Sequence, residues 1–216
     1  GPMVEAGGPK GLLTVWETTP LEQYDLAVTS NGSVWVASDD KVYLFDPVDG
    51  SAASYAAPFL VAPDFAMITP APDGTLWMSD SFGERIVRFN PSTGVFTPYT
   101  LPKPPFAADA IPFGITVGPD GKIWFTTGYS DYGLGRLDPV SGTFTRFQAP
   151  GGADRGMPVM IAFDSAGMAW FTCDVHSGGD PGLGRLNPGT GSFTVWSDPY
   201  TGAVTPFGLV VVDDEI

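Results

Sequence analysis

The sequence predicts an all-β chain made of repeated four-stranded antiparallel units, and three observations predict it. Four tryptophans, Trp35, Trp77, Trp124 and Trp170, stand 42, 47 and 46 residues apart. A second landmark keeps step with them: Asp46-Pro47, Asn90-Pro91, Asp138-Pro139 and Asn187-Pro188. The runs around the tryptophans are aromatic and β-branched and are bounded by Gly and Pro, which suits strands and excludes helical repeats. Periods of about 40–50 residues mean solenoids, propellers or arrays.

Each unit reads as strands A to D of a meander. Strand A is an apolar run, cleanest in Pro112-Phe113-Gly114-Ile115-Thr116-Val117. A hairpin turn follows at Asn31-Gly32, Asp73-Gly74 and Asp120-Gly121, with Ala166-Gly167 in the fourth copy. Asn-Gly and Asp-Gly suit a type I′ turn, in which both central residues take positive φ. Strand B carries the tryptophan. Strand C ends in the Asn/Asp-Pro pair and turns at Gly50, Gly94, Gly142 or Gly191. Strand D is aromatic, as in Phe96-Thr97-Pro98-Tyr99 and Phe193-Thr194-Val195-Trp196.

Four-stranded units repeated radially make a β-propeller, in which apolar sheet faces stack blade on blade. Four complete blades are expected at about 21–58, 59–102, 103–150 and 151–199, in a single domain over 11–216. Residues 11–20 match strand D alone, and 205–216 match strand A and the start of a turn. Two readings of these ends stay open. The termini together build one further blade, or the propeller is incomplete and a second copy, another chain or further residues complete it. Residues 1–10 read as a leader, Gly1-Pro2-Met3 having the look of a protease-cleavage scar.

Composition narrows the partners. Ten Lys and Arg against 24 Asp and Glu give a formal net charge of -14. Nucleic-acid binding rests on a basic patch, and the cations here are dispersed, so neither nucleic acid nor an anionic membrane surface is expected. No run approaches the roughly 18 apolar residues of a membrane span. The single cysteine, Cys173, excludes an intrachain disulfide framework and leaves the compartment open.

The runs P-F-G-I-T-V-G-P-D-G-K-I-W-F-T and G-L-G-R-L-D-P resemble the repeats of the virginiamycin B (streptogramin B) lyase family, from Leu12 to Ile216. The resemblance implies a seven-bladed propeller, a cytoplasmic setting, and a carbon–oxygen lyase that opens a cyclic antibiotic by elimination. It further implies a histidine general base and Mg²⁺ held partly by acidic side chains in a central funnel. Proton abstraction beside a carbonyl needs a base of near-neutral pKa and a cation for the enolate.

In a propeller the start of strand A and the end of strand B approach the channel mouth. Eleven residues before each tryptophan stand Tyr24, Ala66, Phe113 and Val159, with Phe207 equivalent by motif. Three residues after stand Ser38, Asp80, Thr127 and Cys173. No histidine occurs in either ring, and Asp80 alone stands where the family's W-F-T-E pattern has its acid. One carboxylate does not make a metal site. No cofactor is therefore evident, and Mg²⁺ enters only by resemblance.

The expected small-molecule site is Tyr24, Asp80, Phe113, Thr127, Asp174 and Phe207, aromatic walls beside a few polar groups. Asp174, His176 and Asp180 in a Gly-rich loop also suggest a cation or acid–base cluster, although solvation alone collects such residues. Cys173 with His176 lacks an orienting third group, and a buried small hydrophobe is the plainer reading. Gly133-Leu134-Gly135 and Gly182-Leu183-Gly184 precede no helix, so they are not phosphate loops; they are expected to let neighbouring blades approach. Two functions of different class follow. One is a lyase-like propeller binding or processing a small molecule. The other is a non-enzymatic scaffold, or a propeller fragment that assembles with another copy or chain.

Overall fold

The computed structural model describes residues 2–8, 11–16, 23–38, 40–59, 64–149, 156–174, 182–197 and 208–211. Among them are eighteen strands and no helix. β1 (Pro2–Gly8) and β2 (Gly11–Trp16) form a two-stranded antiparallel sheet. Residues 2–8, set apart from the sequence as a leader, are thus the partner of the strand expected at 11–20.

Four four-stranded antiparallel sheets follow, each a simple meander. The first holds β3 (Gln23–Val28), β4 (Val34–Ser38), β5 (Lys41–Phe45) and β6 (Ala52–Ala56). The second holds β7 (Phe65–Pro70), β8 (Leu76–Asp80), β9 (Arg85–Asn90) and β10 (Val95–Thr100). The third holds β11 (Ile111–Val117), β12 (Ile123–Gly128), β13 (Gly133–Leu137) and β14 (Phe144–Gln148). The fourth holds β15 (Met157–Phe163), β16 (Ala169–Asp174), β17 (Gly182–Asn187) and β18 (Ser192–Ser197). The architecture is an all-β propeller. Of the strand expected at 205–212, residues 208–211 are described and belong to none of these sheets.

Three apolar layers lie between successive sheets. Trp35 packs with Ile68, Met78 and Phe89; Trp77 with Ile115, Ile123 and Phe125; Trp124 with Ile161, Ala169 and Phe171. These three tryptophans are only 0–3% exposed. Burying a large apolar side chain stabilises by roughly 1.5–3 kcal/mol, so the tryptophan period is above all a packing period.

The hairpin turns differ from the expected type. Gly32, Gly74, Gly121 and Gly167 have φ of 70–82°, but the residues before them do not take positive φ. Gly32 N–H donates to Thr29 C=O at 2.8 Å, while Thr29 N–H donates to Ser33 C=O at 3.0 Å. The same pair of bonds recurs at Ala71, Gly118 and Asp164. This is a three-residue type I turn closed by a glycine bulge, not type I′. Only the glycine needs the left-handed region, which explains why Ala166-Gly167 turns as well as Asp-Gly. The second turn owes its Asn/Asp to an Asx bond: the side chains of Asp46, Asn90, Asp138 and Asn187 accept the N–H two residues on, at 2.8–3.0 Å.

The strand C glycines also work differently from expectation. A Cβ on Gly135 would lie 2.1 Å from the Phe125 ring, and one on Gly184 would lie 2.0 Å from Phe171. Each glycine lies directly across from that phenylalanine in its own sheet. They admit a ring within the blade, as aromatic residues cover glycines on paired strands. Close approach between blades occurs at Gly114, where a Cβ would lie 2.1 Å from Val159 O.

Candidate functional site

The inner strands all break register near their starts, at Gln23/Asp25, Phe65/Met67, Pro112/Ile115 and Pro158/Ile161. A bulge frees a backbone N–H that must find another partner. In three sheets the hydroxyl two residues after the tryptophan supplies it. Ser79 Oγ accepts from Met67 N–H at 3.2 Å, Thr126 Oγ1 from Gly114 N–H at 2.9 Å, and Thr172 Oγ1 from Met160 N–H at 3.2 Å. Thr126 also donates to Val159 C=O of the next sheet at 2.9 Å. The first sheet has Ala37 in that place; there Asp25 accepts Ile68 N–H of the second sheet at 2.9 Å. Burial raises the Asp25 pKa, only partly offset by the N–H groups of Ile68 and Leu26.

Beside these bulges, a cavity of about 830 Å³ opens at the ends of the second, third and fourth sheets. Its lining follows the repeat. Thirteen residues before the tryptophans stand Asp64, Ile111 and Met157; eleven before stand Phe113 and Val159. Four residues after stand Ser81 and Asp174, and five after stand Phe82 and Tyr129. Asp109, Ser130 and Tyr132 complete it. Among the described residues the wall is chiefly apolar and aromatic, and every charged residue lining it is an aspartate.

Two buried carboxylates position the rim loops. Asp80 accepts Asp64 N–H at 3.0 Å and Gly83 N–H at 2.9 Å on one oxygen, and Arg85 Nε at 2.5 Å on the other. That sets the loop presenting Phe82. Asp131 accepts Ala107 N–H at 2.7 Å, the Thr127 hydroxyl at 3.2 Å, and Arg146 Nε at 2.7 and 2.9 Å. It pins the loop presenting Tyr129, Ser130 and Tyr132, in which Tyr129 holds a φ of 63°. Ser130 donates to the Asp109 carboxylate, and Ser81 donates to Pro112 C=O at 3.2 Å, tying two sheets together at the rim.

The sequence-predicted residues therefore divide. Phe113 and Asp174 line the cavity. Asp80 and Thr127 do not; both are fully buried and serve the rim loops from behind. The reason is their contacts: Asp80 is turned onto Asp64 N–H, Gly83 N–H and Arg85, and Thr127 onto the Asp131 carboxylate. The Tyr24 side chain, Phe207, His176 and Asp180 lie outside the described residues. Cys173 is buried in the layer between the third and fourth sheets. Sequence reasoning missed Phe82 and Tyr129, although an aromatic residue five places after the tryptophan in two repeats was a visible signal.

The site can be tested against Mg²⁺. Both oxygens of Asp80, the family's acid position, are taken by an arginine and two N–H groups. Among the described residues no three of His, Cys, Asp and Glu gather closely enough to hold a metal ion. The described donor set does not fit the ion. Among the same residues no helix is long and apolar enough to cross a membrane.

A model described as the virginiamycin B lyase family matches residues 14–216. Among solved structures, a selenomethionine-substituted virginiamycin B lyase from Staphylococcus aureus is 28% identical with a TM-score of 0.72, covering 86% of this chain and 58% of that one. A catalytically inactive variant of that organism's lyase, solved with quinupristin, is 26% identical with a TM-score of 0.70, covering 83% and 56%. The chain thus spans under three-fifths of the length of these lyases. Kuenenia stuttgartiensis hydrazine synthase, at 13% identity and a TM-score of 0.67 over 88% of this chain and 53% of its own, shares the fold alone. A search of curated proteins finds no significant match.

Proposed function

The chain belongs to the virginiamycin B lyase family, and on that premise we propose that its cavity binds a small molecule with an apolar, ring-bearing body. The observation that carries this reading is the wall itself. Phe82, Phe113, Tyr129 and Tyr132 face one space of about 830 Å³, beside the carboxylates of Asp64, Asp109 and Asp174. Aromatic faces give contact area at little entropic cost, and a few polar groups orient the ligand. The acids favour a ligand that offers hydrogen-bond donors rather than an anion. Binding is the part of lyase function these residues support; Asp80 holds a loop, and the described residues do not supply the base and cation that elimination needs.

Titration with quinupristin, with and without Mg²⁺, tests this by calorimetry and by mass spectrometry of the antibiotic. Saturable binding is expected, weakened several-fold by Phe113→Ala and by Tyr129→Ala, with the antibiotic ring left intact. No saturable binding of quinupristin or of simpler aromatic amines, or binding that ignores both substitutions, overturns the reading.

A further inference from the structure

The chain has three asparagines, and the residue after each decides whether its side chain can react with the backbone. Asn31 precedes Gly32, whereas Asn90 and Asn187 precede Pro91 and Pro188. A backbone N–H next to an asparagine can attack the side-chain carbonyl carbon and close a cyclic imide. Proline has no N–H, so Asn90 and Asn187 are barred from this reaction. Glycine has the N–H and no side chain to hinder it.

Asn31 stands at the tip of the β3–β4 hairpin, where it and Gly32 are both exposed. A Cβ built on Gly32 would meet nothing within 4 Å, so the approach to this peptide unit is open. Two donors converge on the side-chain oxygen: Asn31 Oδ1 accepts from the Thr29 hydroxyl at 2.6 Å and from Ser33 N–H at 3.1 Å. Both draw electron density from Cγ, the atom to be attacked, and neither holds Nδ2, the group that has to leave. One contact works the other way. Gly32 N–H, the nucleophile, donates to Thr29 C=O at 2.8 Å. The attack therefore waits for the turn to open, a local event of the kind exposed tips undergo.

We infer that Asn31 is a site of spontaneous covalent modification, converting to aspartate and isoaspartate through a succinimide. The Gly32 nitrogen bonds to Asn31 Cγ, the bond from Cγ to Nδ2 breaks, and the Gly32 proton leaves with Nδ2 as ammonia. Water then adds to one imide carbonyl and cleaves its bond to the ring nitrogen. Opening at the side-chain carbonyl leaves aspartate; opening at the main-chain carbonyl leaves isoaspartate, with the chain rerouted through the side chain. The fold receives the two products differently. Aspartate already holds the equivalent place in the second and third sheets, where Asp73 Oδ1 accepts Thr75 N–H at 3.0 Å and Asp120 Oδ1 accepts Lys122 N–H at 3.1 Å. Isoaspartate adds a backbone carbon between Thr29 and Ser33 and so disturbs the pair of bonds that closes the hairpin. Either product makes a chain of formal net charge -14 one unit more negative. This inference does not depend on the ligand proposed above.

Peptide mapping by mass spectrometry tests it on the chain incubated in mildly alkaline buffer, with electron-transfer fragmentation to separate the two products and anion exchange to follow the added charge. Conversion at Asn31 is expected while Asn90 and Asn187 stay unchanged, and Asn31→Asp should gain no charge over the same period. The folded chain should convert several-fold more slowly than the chain held unfolded in guanidinium, because only the opened turn reacts. Asn31 still intact in the folded chain far beyond that several-fold delay overturns the inference. So does conversion at Asn90 or Asn187 alongside it, which would place the reaction outside imide chemistry. A folded chain that converts as fast as the unfolded one overturns the gating by the Gly32–Thr29 bond.

Discussion

Replacing Thr126 by Val keeps the shape of the side chain and removes its hydroxyl. That hydroxyl accepts the bulge N–H of Gly114 and donates to Val159 C=O of the next sheet, both at 2.9 Å, and Thr126 is fully buried. The change orphans one buried donor and one buried acceptor, each costing about 1–3 kcal/mol. The two strands abut so closely at Gly114 that water has little room to replace the hydroxyl. A loss of about 2–6 kcal/mol is therefore expected, a large share of a typical domain's stability. Thr126→Ser keeps both bonds and loses one methyl, for roughly 1 kcal/mol. Thr172→Val, whose hydroxyl accepts the Met160 N–H at 3.2 Å, should fall between them. Urea unfolding measures all three, with the slope of the transition checked for constancy. If Thr126→Val is no less stable than Thr126→Ser, the hydroxyl is not the tie between the inner strands and the reasoning fails.

Arg146→Met leaves the buried Asp131 carboxylate without its cation and should cost about 3–5 kcal/mol. Adding Asp131→Asn should recover part of that stability while the 129–132 loop stays more open to proteolysis; a single variant as stable as wild type would refute the anchoring role. The acid limb of stability carries a second signature. The Lys122 ammonium and the N–H groups of Val140 and Ser141 hold the Asp138 pKa down to about 2 from 3.8. A depressed carboxylate stabilises above the unfolded value and loses that contribution as pH falls through the folded one. Asp138→Asn should flatten the fall between about 3.8 and about 2, and an unchanged profile would refute it. Asp25, raised by burial, works in the opposite direction, its contribution fading as pH rises through its folded pKa.

Most of the fold was legible because its determinants are local and repeated. The tryptophan spacing, the Gly of each hairpin and the Asx bond of each Asn/Asp-Pro turn are short-range features, and each recurs four times. Even the misread turn type left the strands in place, since both alternatives join adjacent strands and both want glycine. The site was less legible. Phe113 and Asp174 line the cavity, whereas Asp80 and Thr127 stand behind its rim. Asp80 and Thr127 are claimed by rim-loop groups, and neither composition nor the repeat period encodes which loop folds back onto them.

What the sequence determined by itself was the blade: its strands, their order, and the apolar faces that must stack. Tertiary structure alone decided which groups meet across blades. The Asp131–Arg146 pair joins residues 15 apart through a loop and two strands, and the Thr126–Val159 bond spans 33 residues. No periodicity encodes such meetings, because they depend on how two sheets lie against each other.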